Sequence, residues 1–402
     1  MDAFILDAIR TPIGSFGGSL ANVRADDLAS HVIKHLIERN DTVNPADIDD
    51  VIFGCSNQAG DDNRNVARMS LLLAGLPFTI PGETVNRLCA SGMSAVIHAA
   101  RAIKAGDGDL FVAGGVESMT RGPWVISKTA KPFGNDVQMF DSSFGWRFIN
   151  PLMQQQYGAD AMGITAENLV EQYKISREDQ DLFAFLSQQK AKTANENGRF
   201  KKEIISVALP QKDGVKSHFS TDEFIKPLTT LEKLSTLKPA FKKDGGSVTA
   251  GNSSGLNDGA AAMLVMSDEG LKRYNLQPMA RIVSSAVSGV EPRIMGIGPV
   301  TATEKALKKA GLSLSQIDIV EINEAFAAQV LACTRLLGLA DDDQRINPNG
   351  GAIALGHPLG MSGTRLLQTA ALQLQQQTGH RYALVTMCVG VGQGYATVIE
   401  KV

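Results

Sequence analysis

The chain has 402 residues, more than one compact core holds, so two or three domains are expected. Apolar residues make up 44% and charged residues 20%, a globular composition that excludes extended disorder. A net charge of −3 supplies no basic field for nucleic acid, and no run approaches the roughly 18–20 apolar residues of a membrane-spanning helix.

The opening Met1–Asp7 reads as a first β-strand and not as a signal peptide, because no basic region precedes a long apolar stretch. Ala3 to Leu6, Val51 to Phe53 and Leu110 to Ala113 predict strands, while residues 26–39 and 91–105 predict amphipathic helices. Strands alternating with helices favour a largely parallel sheet covered by helices, an α/β fold. Residues 120–250 differ in texture, with Pro, Gln, Lys and scattered aromatics around one long polar helix from about Arg177 to Asn197. They read as an insertion carrying ligand-binding loops over the site.

The last third repeats the plan of the first. Gly92-Met93-Ser94 and Gly360-Met361-Ser362 each open a helical pattern that leads to an apolar strand, and Ile48-Asp49 and Ile317-Asp318 precede strands at nearly the same displacement. Agreement of order, type and spacing indicates internal duplication.

Three segments carry candidate chemistry. Cys89, in Asn86–Gly92, stands where a strand runs into a helix. Unsatisfied N–H groups and the dipole there favour thiolate. A cysteine taken at random is more often a small buried apolar residue, but the small neighbours Ala90, Ser91 and Gly92 leave room for a substrate. His357, within Asn347–Pro358, occupies the place of Cys89 in the second repeat and suits a thiol base that later donates to an oxyanion. Alone it reads equally as a structural residue. Cys388 opens Cys388–Gly394, where alternating glycines, Gly390 among them, let backbone N–H groups approach an acyl oxygen. That turn does not match the dinucleotide fingerprint. Cys55, Cys89, Cys333 and Cys388 form no CxxC pair, which fits a reducing compartment and neither a zinc knuckle nor a disulfide framework. His31 and His35 lie one helical turn apart with no third ligand nearby, so no metal is assigned.

Together Cys89, His357, Cys388 and Asn323-Glu324-Ala325-Phe326 resemble the four signature blocks of the thiolase family. The resemblance runs over essentially the whole chain, including Arg10–Gly14 and Gly251–Ala260. It implies the thiolase fold: two duplicated mixed-sheet halves in a layered α/β/α/β/α core, with an inserted loop domain. The expected boundaries are residues 1–120 with 251–271 for the first half, 121–250 for the loop domain over the CoA site, and 272–402 for the second half.

The resemblance also implies roles. Cys89 is the nucleophile, His357 activates it, and Cys388 protonates the leaving carbanion and later deprotonates CoA. Asn323 holds a water that forms one oxyanion hole with His357, and the backbone N–H groups of Cys89 and Gly390 form the other. Ser254, Ala250, Leu237, Phe241, Ala325, Phe326, Met162 and Lys226 match positions lining the CoA tunnel. Coenzyme A enters as co-substrate, with no permanently bound cofactor and no metal. Lys226 and Lys233 stand where biosynthetic members carry Arg and Ser, and Ala161 replaces a His, which departs from acetoacetyl-CoA-specific enzymes.

Gln58–Arg68 and Asn150–Met153 look like those of thiolases acting on 3-oxoadipyl-CoA in aromatic-compound breakdown, the beta-ketoadipate pathway. A substrate ending in a carboxylate needs a nearby cation. Arg64 and Arg121 are the candidates, and Arg64 serves equally as a structural or interface arginine. Alternatives are a broad-range 3-ketoacyl-CoA thiolase of fatty-acid β-oxidation, an acetyl-CoA acetyltransferase, a cysteine hydrolase, or a non-catalytic CoA or lipid carrier. The family further implies a cytoplasmic homo-oligomer, dimer or tetramer.

Overall fold

The computed structural model describes residues 1–209 and 217–402. The stretch expected at 121–250 therefore includes residues 210–216, which lie outside the described residues. The predicted strands are present and longer than expected, at Ala3–Arg10, Asp50–Gly54 and Leu110–Ser118. The predicted helices span Ala25–Arg39, Ser91–Ala105 and Arg177–Glu196.

The sheet is mixed rather than largely parallel. In the first half Gly82–Val85, Asp50–Gly54 and Leu110–Ser118 run parallel, then Asn257–Ser267 and Ala3–Arg10 follow antiparallel. The physical reason lies in the connection. Asn257–Ser267 returns from the inserted segment and not through a helical crossover, the connection that makes neighbours parallel. The second half repeats the order: Ile319–Ile322 pairs parallel with Tyr382–Val389, which pairs antiparallel with Gln393–Lys401, which pairs antiparallel with Ala280–Gly289. A parallel bridge from Val320 to Ile346 stands where the first half has its outermost strand. The two sheets pair with each other at Phe4–Arg281 and Ile5–Ala280.

The inner strands Leu110–Ser118, Asn257–Ser267 and Tyr382–Val389 bury both faces, as covered sheets require, whereas Gly82–Val85 and Ala280–Gly289 stay partly open. Phe111 and Ala113 face a core shared with Ser91–Ala105 and Leu359–Gln376, whereas Leu110, Val112 and Val116 face the core under Ala25–Arg39. The second sheet does likewise, turning Val385 and Met387 to the shared core and Leu384 to the core under Gly298–Ala310. The layers are thus helix, sheet, paired central helices, sheet, helix. Ser91–Ala105, predicted amphipathic, is buried on most of its circumference because sheets lie on both sides.

The repeated Gly-Met-Ser lies at the crossing of those central helices. A Cβ on Gly92 would stand 2.5 Å from the Gly360 carbonyl oxygen, and one on Gly363 would stand 2.4 Å from the Met93 nitrogen. The backbones touch there, and no larger residue fits. Arg10 anchors the inserted segment: fully buried, it donates through Nη1 and Nη2 to Asp222 at 2.7 and 2.9 Å and through Nε to Glu203 at 2.9 Å.

Gly363→Ala should therefore cost about 1–3 kcal/mol by overpacking. A lowered thermal midpoint measures this, with Gly289→Ala, where a Cβ meets nothing within 4 Å, as the neutral control.

Candidate active site

Cys89 lies in a 3-10 turn, Leu88–Ala90, just before the first central helix. Leu88 has φ +46°, costly for a branched side chain, and its surroundings hold it there. Its N–H donates to Asn86 Oδ1 at 2.9 Å, and its carbonyl accepts from Ser91 Oγ at 2.6 Å and Ser56 Oγ at 3.0 Å. Val391, one residue after Gly390, has φ +63°, so both turns at the site store strain.

Burial pushes the Cys89 thiol up to about 11, and the backbone N–H groups of Gly390 and Cys89, both directed at its sulfur, pull the other way. The helix-terminus effect expected to favour thiolate is outweighed by desolvation, and Cys89 rests as a thiol.

His357 is buried. Its Nδ1 lies 2.6 Å from Ser362 Oγ, whose hydroxyl donates to the Pro358 carbonyl at 2.8 Å. With its proton so engaged, Ser362 Oγ accepts from Nδ1–H, which leaves Nε2 as the acceptor of the ring. Asn323 Nδ2 approaches that nitrogen at 3.3 Å, consistent with the same tautomer. Burial, assisted by the Arg365 guanidinium, pushes the imidazole down to about 3, so it is neutral at physiological pH. Cys388, also buried, is held well above the usual thiol range by desolvation and by the nearby Cys89, and keeps its proton.

Strand register shows that these side chains occupy three equivalent positions of the duplicated halves. Gly54 pairs with Gly115 as Ile322 pairs with Thr386. One residue beyond the first strand stand Cys55 and Asn323, and two beyond its neighbour's paired residue stand Glu117 and Cys388. Cys89 and His357 precede the central helices. The first half thus supplies Cys89, and the second supplies His357, Asn323 and Cys388.

Glu117, which sequence reasoning missed, accepts from the backbone N–H groups of Ser56 and Asn57 at 3.0 Å each and of Gly360 at 2.9 Å. Desolvation raises it to about 7. It ties the loop supporting Leu88 to the helix behind His357. Its signal was a lone carboxylate ending an apolar strand. Ser362 was also missed, although it belongs to the repeated motif. Only Gly390 of the glycine turn borders the site. A Cβ on Gly392 or Gly394 would instead strike the Val290 or Gly298 carbonyl, so these two glycines serve packing and not approach to an acyl oxygen.

Leu237, Ala250 and Lys226 line a cavity of about 520 Å³ together with Lys233. Phe241 meets Phe326 edge to face at 6.1 Å, Ser254 donates its N–H and hydroxyl to the Ala325 carbonyl, and Met162, Ala325 and Phe326 pack around Cys388. Arg64 is exposed, and the Arg121 guanidinium is engaged by Asp61 and the Ala21 carbonyl.

Family models for the thiolase N-terminal and C-terminal domains match residues 3–269 and 276–401. The chain belongs to the thiolase family. As such it is an acyltransferase. It is 58% identical to the beta-ketoadipyl-CoA thiolase of Acinetobacter baylyi over 400 residues, covering 100% of this chain and 99% of that protein. It is 57% identical to the 3-oxoadipyl-CoA/3-oxo-5,6-dehydrosuberyl-CoA thiolase of Escherichia coli, covering both in full at 100%. The crystal structure of Bacillus anthracis acetyl-CoA acetyltransferase superposes with TM-score 0.92 at 42% identity, over 100% of this thiolase and 99% of that chain.

Two outcomes follow for this thiolase. Ser362→Ala, which frees the imidazole to change tautomer and turn, should lower kcat/KM roughly 10- to 100-fold with the thermal midpoint little changed. The depressed His357 pKa means that the unfolded chain binds a proton below pH 6.5 that the folded protein refuses until about 3. Stability is thereby lost as pH falls. Between pH 7 and 5 the protein should lose about 2 kcal/mol more than its His357→Asn variant, read by denaturant titration.

Proposed function

We propose that this protein cleaves 3-oxoadipyl-CoA with CoA, giving succinyl-CoA and acetyl-CoA through an acyl thioester on Cys89. One observation carries the chemistry: a thiol facing two backbone N–H donors stands with a neutral imidazole and a second protonated thiol. Two relatives matched over full length are named beta-ketoadipyl-CoA thiolase and 3-oxoadipyl-CoA/3-oxo-5,6-dehydrosuberyl-CoA thiolase, and these names support the substrate.

With the thiol near 11 and the imidazole near 3, the resting pair is uncharged. The Cys89 proton moves to His357 Nε2 as the sulfur attacks the 3-keto carbon. The N–H groups of Cys89 and Gly390 meet the new oxyanion, donors fixed before the charge appears. When the C2–C3 bond breaks, negative charge passes to the thioester oxygen of the departing acetyl-CoA enolate. The imidazolium at Nε2 and a water held by Asn323 receive it there. Asn323 Oδ1, buried without a partner among the described residues, suits that water. Cys388 protonates the enolate carbon, and its thiolate then takes the proton of the incoming CoA thiol, whose sulfur displaces the acyl group from Cys89 as the His357 imidazolium returns its proton to the Cys89 sulfur. Lys226 and Lys233 at the cavity suit the phosphates of CoA.

We read the protein as a cytoplasmic homo-oligomer. Exposed Trp124, Ile126, Phe133, Val137 and Met139 around the hairpin Trp124–Ile126/Met139–Asp141 form an apolar surface that suits a second copy.

A panel of 3-oxoacyl-CoA esters tests the substrate: 3-oxoadipyl-CoA should exceed 3-oxohexanoyl-CoA in kcat/KM, and equal values would remove the dicarboxylic assignment. Mass spectrometry should find the succinyl group on Cys89 and none in Cys89→Ser. Cys388→Ala should slow exchange of acetyl-CoA methyl protons with deuterated solvent roughly 100- to 10,000-fold, the range for loss of a general acid–base group.

A further inference from the structure

We propose that Arg293 receives the terminal carboxylate of the dicarboxylic acyl chain, in a cleft beside the Cys89–Gly390 pair. This rests on the 3-oxoadipyl reading above. The cleft is lined by Met162 and Val391 on the inside and by Trp146, Tyr157, Asp160 and Arg293 on the outside. Its inner wall touches the site. Val391 follows Gly390, and the Met162 sulfur lies 3.8 Å from where a Gly390 Cβ would be.

Arg293 is aimed by its local backbone. It belongs to a 3-10 segment, Pro292–Ile297, broken at Ile294 by φ −123° and ψ 35°. Past that break Met295 is buried against Cys388 in the same small core as Met162, while the Arg293 side chain stays 55% exposed. One short segment therefore anchors an apolar residue in the core beside Cys388 and places a cation on the wall of the cleft. Arg293 Nε donates to Asp160 Oδ2 at 2.9 Å, which fixes the head, and Asn168 Nδ2 shares that oxygen at 3.1 Å. The two Nη atoms have no partner among the described residues, and side by side they match a carboxylate. Asp160 and Arg293 are the charged residues of the cleft wall.

Dimensions agree. A succinyl group extended from sulfur reaches roughly 6 Å to its carboxylate carbon, taking ordinary bond lengths. The cleft itself holds about 10 Å³, little more than a water, so the tail carboxylate enters as the exposed Tyr157 side chain swings outward while Asp160 holds Arg293 in place. Arg121 is engaged through Nε by Asp61 and through Nη1 by the Ala21 carbonyl, whereas Arg293 meets Asp160 through Nε alone. Neither Arg64 nor Arg121 lines this cleft.

The test is the ratio of kcat/KM for 3-oxoadipyl-CoA over 3-oxohexanoyl-CoA, measured on the whole enzyme. Arg293→Met should lower that ratio roughly 10- to 100-fold, the range of a lost charged hydrogen bond, and Arg293→Lys should retain part of it. Because Arg293→Met leaves Asp160 facing the tail, the double variant Asp160→Asn/Arg293→Met is measured as well. If attraction to Arg293 matters, the ratio stays low in the double variant. Recovery to the wild-type ratio would mean repulsion by Asp160, and would overturn the assignment, as would an unchanged ratio in Arg293→Met. If the wild type itself shows no preference for the diacid, the substrate reading falls and the assignment with it. A wild type that prefers the diacid with an indifferent Arg293→Met removes Arg293 alone.

Discussion

Backbone contact between two helices governs this molecule. At Gly92 and Gly363 the central helices approach as closely as main chains can, with carbonyl and amide atoms where side chains would otherwise stand. That contact sets the separation of the two sheets and brings both helix starts to one place. Cys89 and His357 meet because the residues that precede these helices have nowhere else to go. A site assembled this way draws the proposed nucleophile, Cys89, from one half and its partner groups from the other, so its integrity depends on the seam. Glu117 reinforces the seam with one carboxylate that accepts amides from both sides.

The electrostatics follow from dryness. Burial raises both thiols and lowers the imidazole, so the resting site carries no separated charge at neutral pH. Charge is then created only as bonds change, where fixed N–H groups are aimed at it. Such an arrangement avoids stabilising the ground state and favours what forms transiently. The strained Leu88 and Val391 backbones belong to the same logic, since each holds a donor-bearing turn in a conformation that its own residue does not prefer.

Much of this was legible from the chain. The repeated Gly-Met-Ser revealed the duplication, and Cys89, His357 and Cys388 stood out by their neighbours. Parallel pairing was over-read, because nothing local distinguishes a strand arriving by a helix from one returning after a long insertion. That Glu117 is the counterpart of Cys388, and Asn323 that of Cys55, could not be recognised without the register of non-local strands. The glycines after Gly390 appeared to clear space for substrate, whereas they clear it for the Val290 and Gly298 carbonyls. The cysteine was expected to lean toward thiolate from its helix position, but desolvation, a tertiary property, reverses the sign. Arg293 lay in an unremarkable Glu-Pro-Arg stretch, and only the break at Ile294 shows which way it faces.

The order of strands in the first sheet bears on biogenesis. Asn257–Ser267 lies between Ala3–Arg10 and Leu110–Ser118, so the earliest strand of the chain reaches Leu110–Ser118 only through one made much later. During synthesis the N-terminal strand must wait, its hydrogen-bonding edge open, until the whole insertion has emerged from the ribosome. Nascent chains of this protein are therefore exposed to misassociation over most of translation, and they are natural clients for chaperones that shield unpaired strands.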